Sequence, residues 1–238
     1  VPTWSIFGSA GVDIFFIISG FIMVHATRKV AADGDRLYQA TDFLVRRAIR
    51  IVPLYWLALL FQDRYLVRNG TADMALLYDF AFIPRFNPMH DGEILPSLIV
   101  GWTLNFEVFF YILFGAAIMF GRRKHLVLAV MILALVVAGK IFDLKGSAVL
   151  RVWSSELLGE FALGMGVYLF VSQRRWMPGA VMAVLVMLGG FAVLAVPNGP
   201  VPRLLADGIP AALIVWSGVN VGRALHRRKV WALLGDAS

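Results

Sequence analysis

The chain contains no cysteine. Disulfides, thiolate metal centres and a cysteine nucleophile are therefore excluded. Charge is scarce too: Asp, Glu, Lys and Arg make up 16% of the 238 residues, and acids are the rarer sign, 15 against 22 basic residues. There are four histidines, His25, His90, His125 and His226, and only His90 has metal-ligand types beside it, in "HDGE" (90–93). Acids in such a loop are ordinarily solvated, so no metal site is expected. No phosphate-cradling glycine loop, HExxH or GxSxG occurs. Residues 1–8 lack the basic start of a signal peptide, and no internal repeat is evident.

What the chain has instead is apolar length. It is 60% hydrophobic, with a mean hydropathy of +0.77. Soluble domains of this size carry more charge and less apolar content, so membrane is the indicated class. The net charge of +7 would suit nucleic acid only if it formed a basic face on a folded domain. Here basic residues fall in short clusters between apolar runs, the pattern that orients a membrane protein, and no nucleic-acid partner is expected. Seven stretches are long enough, or nearly so, to cross a bilayer: 9–26, 51–67, 101–120, 125–142, 153–171, 178–196 and 208–223. Gln62, Asp63 and Arg64 interrupt the second, and an eighth begins near Val230. The expected fold is all-α, a polytopic transmembrane helix bundle. A start at Val and an end at "LLGDAS", as a new apolar segment opens, read as one membrane domain over 1–238 truncated at both ends.

Loop charges give a topology. Arg28, Lys29, Arg36, Arg46, Arg47 and Arg50 follow the first span, Arg122, Arg123 and Lys124 the third, Arg174 and Arg175 the fifth, and Arg223, Arg227, Arg228 and Lys229 the seventh. The alternate loops hold Asp63, Asp73, Asp79, Asp91, Glu93, Asp143 and Asp207. The basic set is placed inside and the acidic set outside. The longest outer loop, about 68–100, contains "FIPRFNPMHDGEILPS" and is expected to be an irregular cap.

Ionisable residues inside spans mark working sites by default. Asp13 stands alone in "GVDIFFIISGF" (11–21), either as a helix-end charge or as part of a site. Glu107 lies deep in "GWTLNFEVFFYILFG" (101–115), with Thr103 and Tyr111 on the same face at i, i+4 spacing. Glu156 and Glu160, one turn apart, read as an outer interfacial face, with Arg151 near. Arg46, Arg47 and Arg50 in "FLVRRAIRIVPLYWL" (43–57) form a cluster on a helix. It is either a positive-inside anchor, backed by the aromatic belt of Tyr55 and Trp56, or an anion site. The steps Ser19-Gly20 and Ser217-Gly218 suggest close helix packing.

Taken in order, "GVDIFFIISGFIMV", "RRAIRIVPLYWL" and "GWTLNFEVFFYILFG" resemble the acyltransferase 3 family of integral membrane O-acyltransferases, nearest in look to members that acetylate bacterial exopolysaccharides. "FIPRFNP" also has a counterpart there, and "LLGDAS" looks like the start of a late Ser-Tyr-Ser helix motif. The resemblance implies a bundle of about ten helices in the bacterial inner membrane. It implies an acyl group, often acetyl from acetyl-CoA, moving from the cytoplasm to a hydroxyl of a glycan or lipid-linked oligosaccharide, with no bound cofactor. The family's arginine motif matches Arg47 and Arg50, which would hold the donor's phosphates, and its carboxylates match Glu107 and Asp13. Tyr55, Trp102 and Asn105, from the same motifs, would line the substrate path.

The family's usual catalytic histidine lies on an earlier helix, and His25 does not occupy its place. Glu107 or Asp13 would orient that histidine, and 1–238 alone is expected to be inactive. The loop charges place Asp13 and Glu107 in the outer half and the arginines on the cytoplasmic side. The alternative is a transporter or flippase of a lipid-linked sugar, using the same carboxylates without bond chemistry.

Overall fold

A computed structural model describes residues 6–28, 34–67, 75–88, 91–142, 144, 146–173, 179–196 and 201–227. The eighth helix expected near Val230 lies outside these residues, as do Lys29, Asp73, His90, Asp143, Arg174, Arg175, Arg228 and Lys229. The chain forms two compact units, Val1–Arg28 with Gly159–Ser238, and Lys29–Leu158. Each is described by itself.

In the unit 29–158 the principal helices are α2 (Arg36–Val67), α4 (Trp102–Ile118) and α5 (Lys124–Ile141), with short α3 (Ala75–Phe80) and α6 (Ala148–Trp153). Asp35 starts α2: its Oδ1 accepts the backbone N–H groups of Leu37 at 3.0 Å and Tyr38 at 3.1 Å, satisfying donors that a helix start leaves open. A 3-10 turn, Ile99–Gly101, leads into α4. Gly121, at φ 56°, turns the chain out of it, a backbone state glycine adopts at no steric cost. Ser147 Oγ caps α6 by accepting Leu150 N–H at 3.3 Å.

The helix expected at 51–67 is present but starts fifteen residues earlier. α2 begins at Arg36, and its first five turns, not its last four, lie antiparallel along α4. Arg36 Nη1 donates to the Met119 carbonyl at 3.2 Å. Phe43 stacks on Phe114 with centroids 5.1 Å apart. Leu44 fills the space left by Gly115, and Tyr55 that left by Gly101. From Arg36 to Tyr55 is about 28 Å of helix, which matches the length of α4. Residues 56–67, including the interrupting Gln62, Asp63 and Arg64, therefore extend past the Gly101 end of α4 rather than beside it. The arginines scattered along 36–50 keep the local hydropathy low. That is why an apolar window misses the first fifteen residues of the helix.

Beyond that end sits a folded cap. β1 (Phe86–Asn87) pairs antiparallel with β2 (Glu93–Ile94), and Asp91-Gly92, both at positive φ, turn between them. An Asp-Gly pair is a strong hairpin signal, and "HDGE" carried it. Buried Asp79 organises the cap: it accepts the Ser97 N–H at 2.9 Å and pairs with Arg85 Nη2 at 3.3 Å. Trp56 Nε1 donates to the Phe80 carbonyl at 3.0 Å. Phe82, held at φ 55°, tilts its ring onto Tyr55, with centroids 4.7 Å apart. The cap's apolar core is Tyr55, Leu59 and Phe82.

The other unit contains α1 (Ile6–Ala26), most of α7 (Leu157–Ser172), α8 (Ala180–Leu194), a π turn (Leu204–Gly208) and α9 (Ile209–Arg227). α1 and α7 touch backbone to backbone. Gly20 faces the Phe161 carbonyl and Gly164 the Ile17 carbonyl, with no room for a methyl at either. Phe16 and Phe161 pack beside this crossing at 4.8 Å. Gly20 thus bears out close packing at Ser19-Gly20, whereas Gly218 meets nothing within 4 Å. Among the described residues, four helical runs are long and apolar enough to cross a membrane: Ile99–Ile118, Gly121–Ile141, Ala148–Ser172 and Leu204–Arg223. Ala10–Ala26 and Ala180–Leu194 are shorter apolar helices.

Candidate functional site: two buried ionic clusters

Besides the Asp79–Arg85 pair of the cap, each unit buries an ionic cluster on its apolar helices. In the unit 29–158 it centres on Glu107, near the middle of the apolar run Ile99–Ile118 and 8% exposed. Tyr111, one turn on, donates its hydroxyl to Glu107 Oε1. The i, i+4 spacing on α4 forces this pair, and both side chains are buried. Across the helix interface, the Arg47 guanidinium sits 6.0 Å from the Tyr111 ring centroid and 5.6 Å from that of Phe43. Aromatic faces attract a guanidinium, so the rings fix Arg47 within electrostatic range of Glu107. Its Nε is buried without a hydrogen-bond partner among the described residues. Arg50, one turn further, is exposed.

This geometry changes one expectation. Loop charges put the arginines and Glu107 at opposite ends of the path; the antiparallel register puts Arg47 level with Tyr111. Arg47 and Glu107 belong to one cluster. Tyr55 is buried against Gly101, its hydroxyl unpartnered among the described residues. Asn105 is buried on α4, and Trp102 is half-buried at its start with its ring edge on Phe106. These three lie toward the cap end, away from Arg47. Thr103 donates to the Val100 carbonyl at 3.4 Å and does not complete the stripe.

In the other unit, Asp13 accepts Arg203 Nη2 at 2.6 Å. It is a fully buried ion-pair partner, not a helix-end charge. Glu160, in the first turn of α7, is also fully buried, with Arg203 Nε 3.6 Å from its Oε1. The reading of Glu156 and Glu160 as an interfacial face is thereby divided. Glu156 pairs with Lys140 at 2.6 Å and is partly exposed, but Glu160 is interior. Arg203 was not singled out in the sequence, since it follows "NGPVP" and looks like a loop residue. The one available signal was a positive charge on the side that holds most of the loop acids. His25 is exposed at the end of α1 and bonds Arg28.

Apolar helices long enough to span a bilayer, with ionisable side chains buried among them, define an integral membrane protein. The chain belongs to the acyltransferase 3 family: the family described as "acyltransferase domain" matches residues 1–238. It is similar to the exopolysaccharide production protein ExoZ of Rhizobium meliloti (strain 1021), at 35% identity over 246 residues, covering 97% of this chain and 73% of that protein. No solved structure matches the chain.

Proposed function

We propose that the protein transfers an acyl group, acetyl in the first instance, from cytoplasmic acyl-CoA to a hydroxyl of an exopolysaccharide or related glycan. The observation that carries this is the Glu107–Tyr111–Arg47 cluster inside an acyltransferase-family membrane bundle. The donor is a thioester with several phosphates, and guanidinium groups bind phosphate bidentately. Arg36, Arg46, Arg47 and Arg50 rise along α2 from the end beside Met119 to mid-length of α4, a row suited to an anionic donor entering from the basic side. In the transfer the hydroxyl oxygen attacks the thioester carbonyl, the C–O bond forms and the C–S bond breaks. The hydroxyl proton leaves to a base and ends on the CoA sulfur. Glu107, held by Tyr111, supplies or orients that base. Tyr55, Asn105 and Trp102, toward the cap, suit the acceptor side. The setting is the bacterial inner membrane.

The test uses the full-length gene product in membranes, with label on the acetyl group of acetyl-CoA. Glu107→Gln abolishes label transfer to glycan while membrane insertion is unchanged. Arg47→Ala and Arg50→Ala raise the KM for acetyl-CoA. Transfer that persists in Glu107→Gln sinks the assignment. No transfer by the wild type, with sugar still crossing the membrane, establishes the flippase instead.

A further inference from the structure

Asp13, Glu160 and Arg203 come from α1, α7 and the approach to α9, and together they hold two acids against one cation. Both carboxyls are fully buried. Arg203 commits one nitrogen to Asp13 Oδ1 at 2.6 Å. Its Nε stays 3.6 Å from Glu160, outside hydrogen-bond reach. Asp13 Oδ2 and both Glu160 oxygens therefore have no donor among the described residues. Yet the two carboxyls flank one guanidinium and interact with each other. Two carboxylates present only acceptors; one carboxylate and one carboxylic acid present a donor and an acceptor.

Among the described residues, the surroundings add no second cation. From α1 the group facing the cluster is Asp13, from α7 Glu160, and from the π turn Asp207, a further acid one turn past Arg203. α8 has no titratable residue, and those of α9 stand at its far end, from Arg223 onward. An ionised carboxylate buried without hydrogen bonds costs several kcal/mol, and such a group takes a proton instead. Like charges sharing a site do the same.

We propose that Asp13 and Glu160 form a proton-binding site that holds one proton between them, with Arg203 neutralising the remaining charge. The ligand is a proton taken from water, and no other reactant is needed. The shared hydrogen bond ties α1 to α7. Loss of the proton leaves two facing carboxylates, so this contact weakens as pH rises past the point of release.

The test is infrared difference spectroscopy of the full-length protein in lipid nanodiscs, in H₂O and D₂O. At neutral pH the wild type shows one carboxylic-acid carbonyl band that shifts in D₂O and bleaches at alkaline pH. The near-isosteric Glu160→Gln and Asp13→Asn each remove it, because either leaves one carboxylate for one arginine. Glu107→Gln leaves the band in place. An absent band in the wild type overturns the proposal, and so does one that survives in either variant; if one variant fails to fold, the other decides. The proposal stands apart from acyl transfer: a preparation with the band but no transferase activity refutes that reading and not this one.

Discussion

Replacing Gly164 by alanine should be among the most damaging one-carbon changes in the protein. A methyl there would sit 2.8 Å from the carbonyl carbon of Ile17 and 3.0 Å from its Cα, against backbone that has no rotamer to escape through. Carbon contacts settle near 3.5–4.0 Å, so α1 and α7 would have to part by at least roughly 0.7–1.2 Å, and the Ile17 carbonyl oxygen lies nearer still. Overpacking of this kind costs about 1–3 kcal/mol. The Phe16–Phe161 contact at 4.8 Å opens with it. Gly166, two residues along the same helix, meets nothing within 4 Å. Gly166→Ala therefore has only the helix-propensity gain, up to about 1 kcal/mol. Unfolding in mixed lipid–detergent micelles against SDS mole fraction measures both. Gly164→Ala should fall below wild type and Gly166→Ala should not. Equal stability of the two variants would refute the close crossing. Gly20→Ala opens the same interface, so the double variant should cost less than the two singles added.

Tyr111→Phe deletes the hydroxyl that Glu107 accepts but keeps the ring under Arg47. A hydrogen bond to a charged group contributes about 1.5–3 kcal/mol, so kcat should drop about 10- to 100-fold, with the KM for acyl-CoA unchanged; kinetics of labelled acetyl transfer read the split. Asp79→Ala removes the acid that holds Arg85 and the Ser97 N–H, leaving a half-buried arginine unpaired. The cost is about 3 kcal/mol, borne by the cap, so limited proteolysis should cut within 75–98 faster than in the wild type.

Much of the fold was legible because bilayer crossing imposes a length and a composition that sequence displays directly. The apolar runs 101–120, 125–142 and 208–223 correspond to observed helices within a few residues. α2 was not legible in that way. Its first half packs on α4 through rings and two arginines, Arg36 and Arg47, and a hydropathy window sees the charges without seeing where they point. Glu107 with Tyr111 was readable from spacing, since i, i+4 on a helix guarantees adjacency. Arg47 beside Tyr111 was not, because it depends on the register between two helices.

The sequence by itself determined that this is an all-helical membrane protein of the acyltransferase 3 family, and it marked Asp13 and Glu107 as costly charges in apolar surroundings. Periodicity, hydropathy and short motifs are local properties, and these conclusions need only local information. The tertiary structure alone decided which charges meet. Asp13 and Arg203 are separated by 190 residues, and nothing local predicts their contact or the burial of Glu160 beside them. That arrangement depends on two glycines letting α1 and α7 touch and on a π turn carrying Arg203 to the same place.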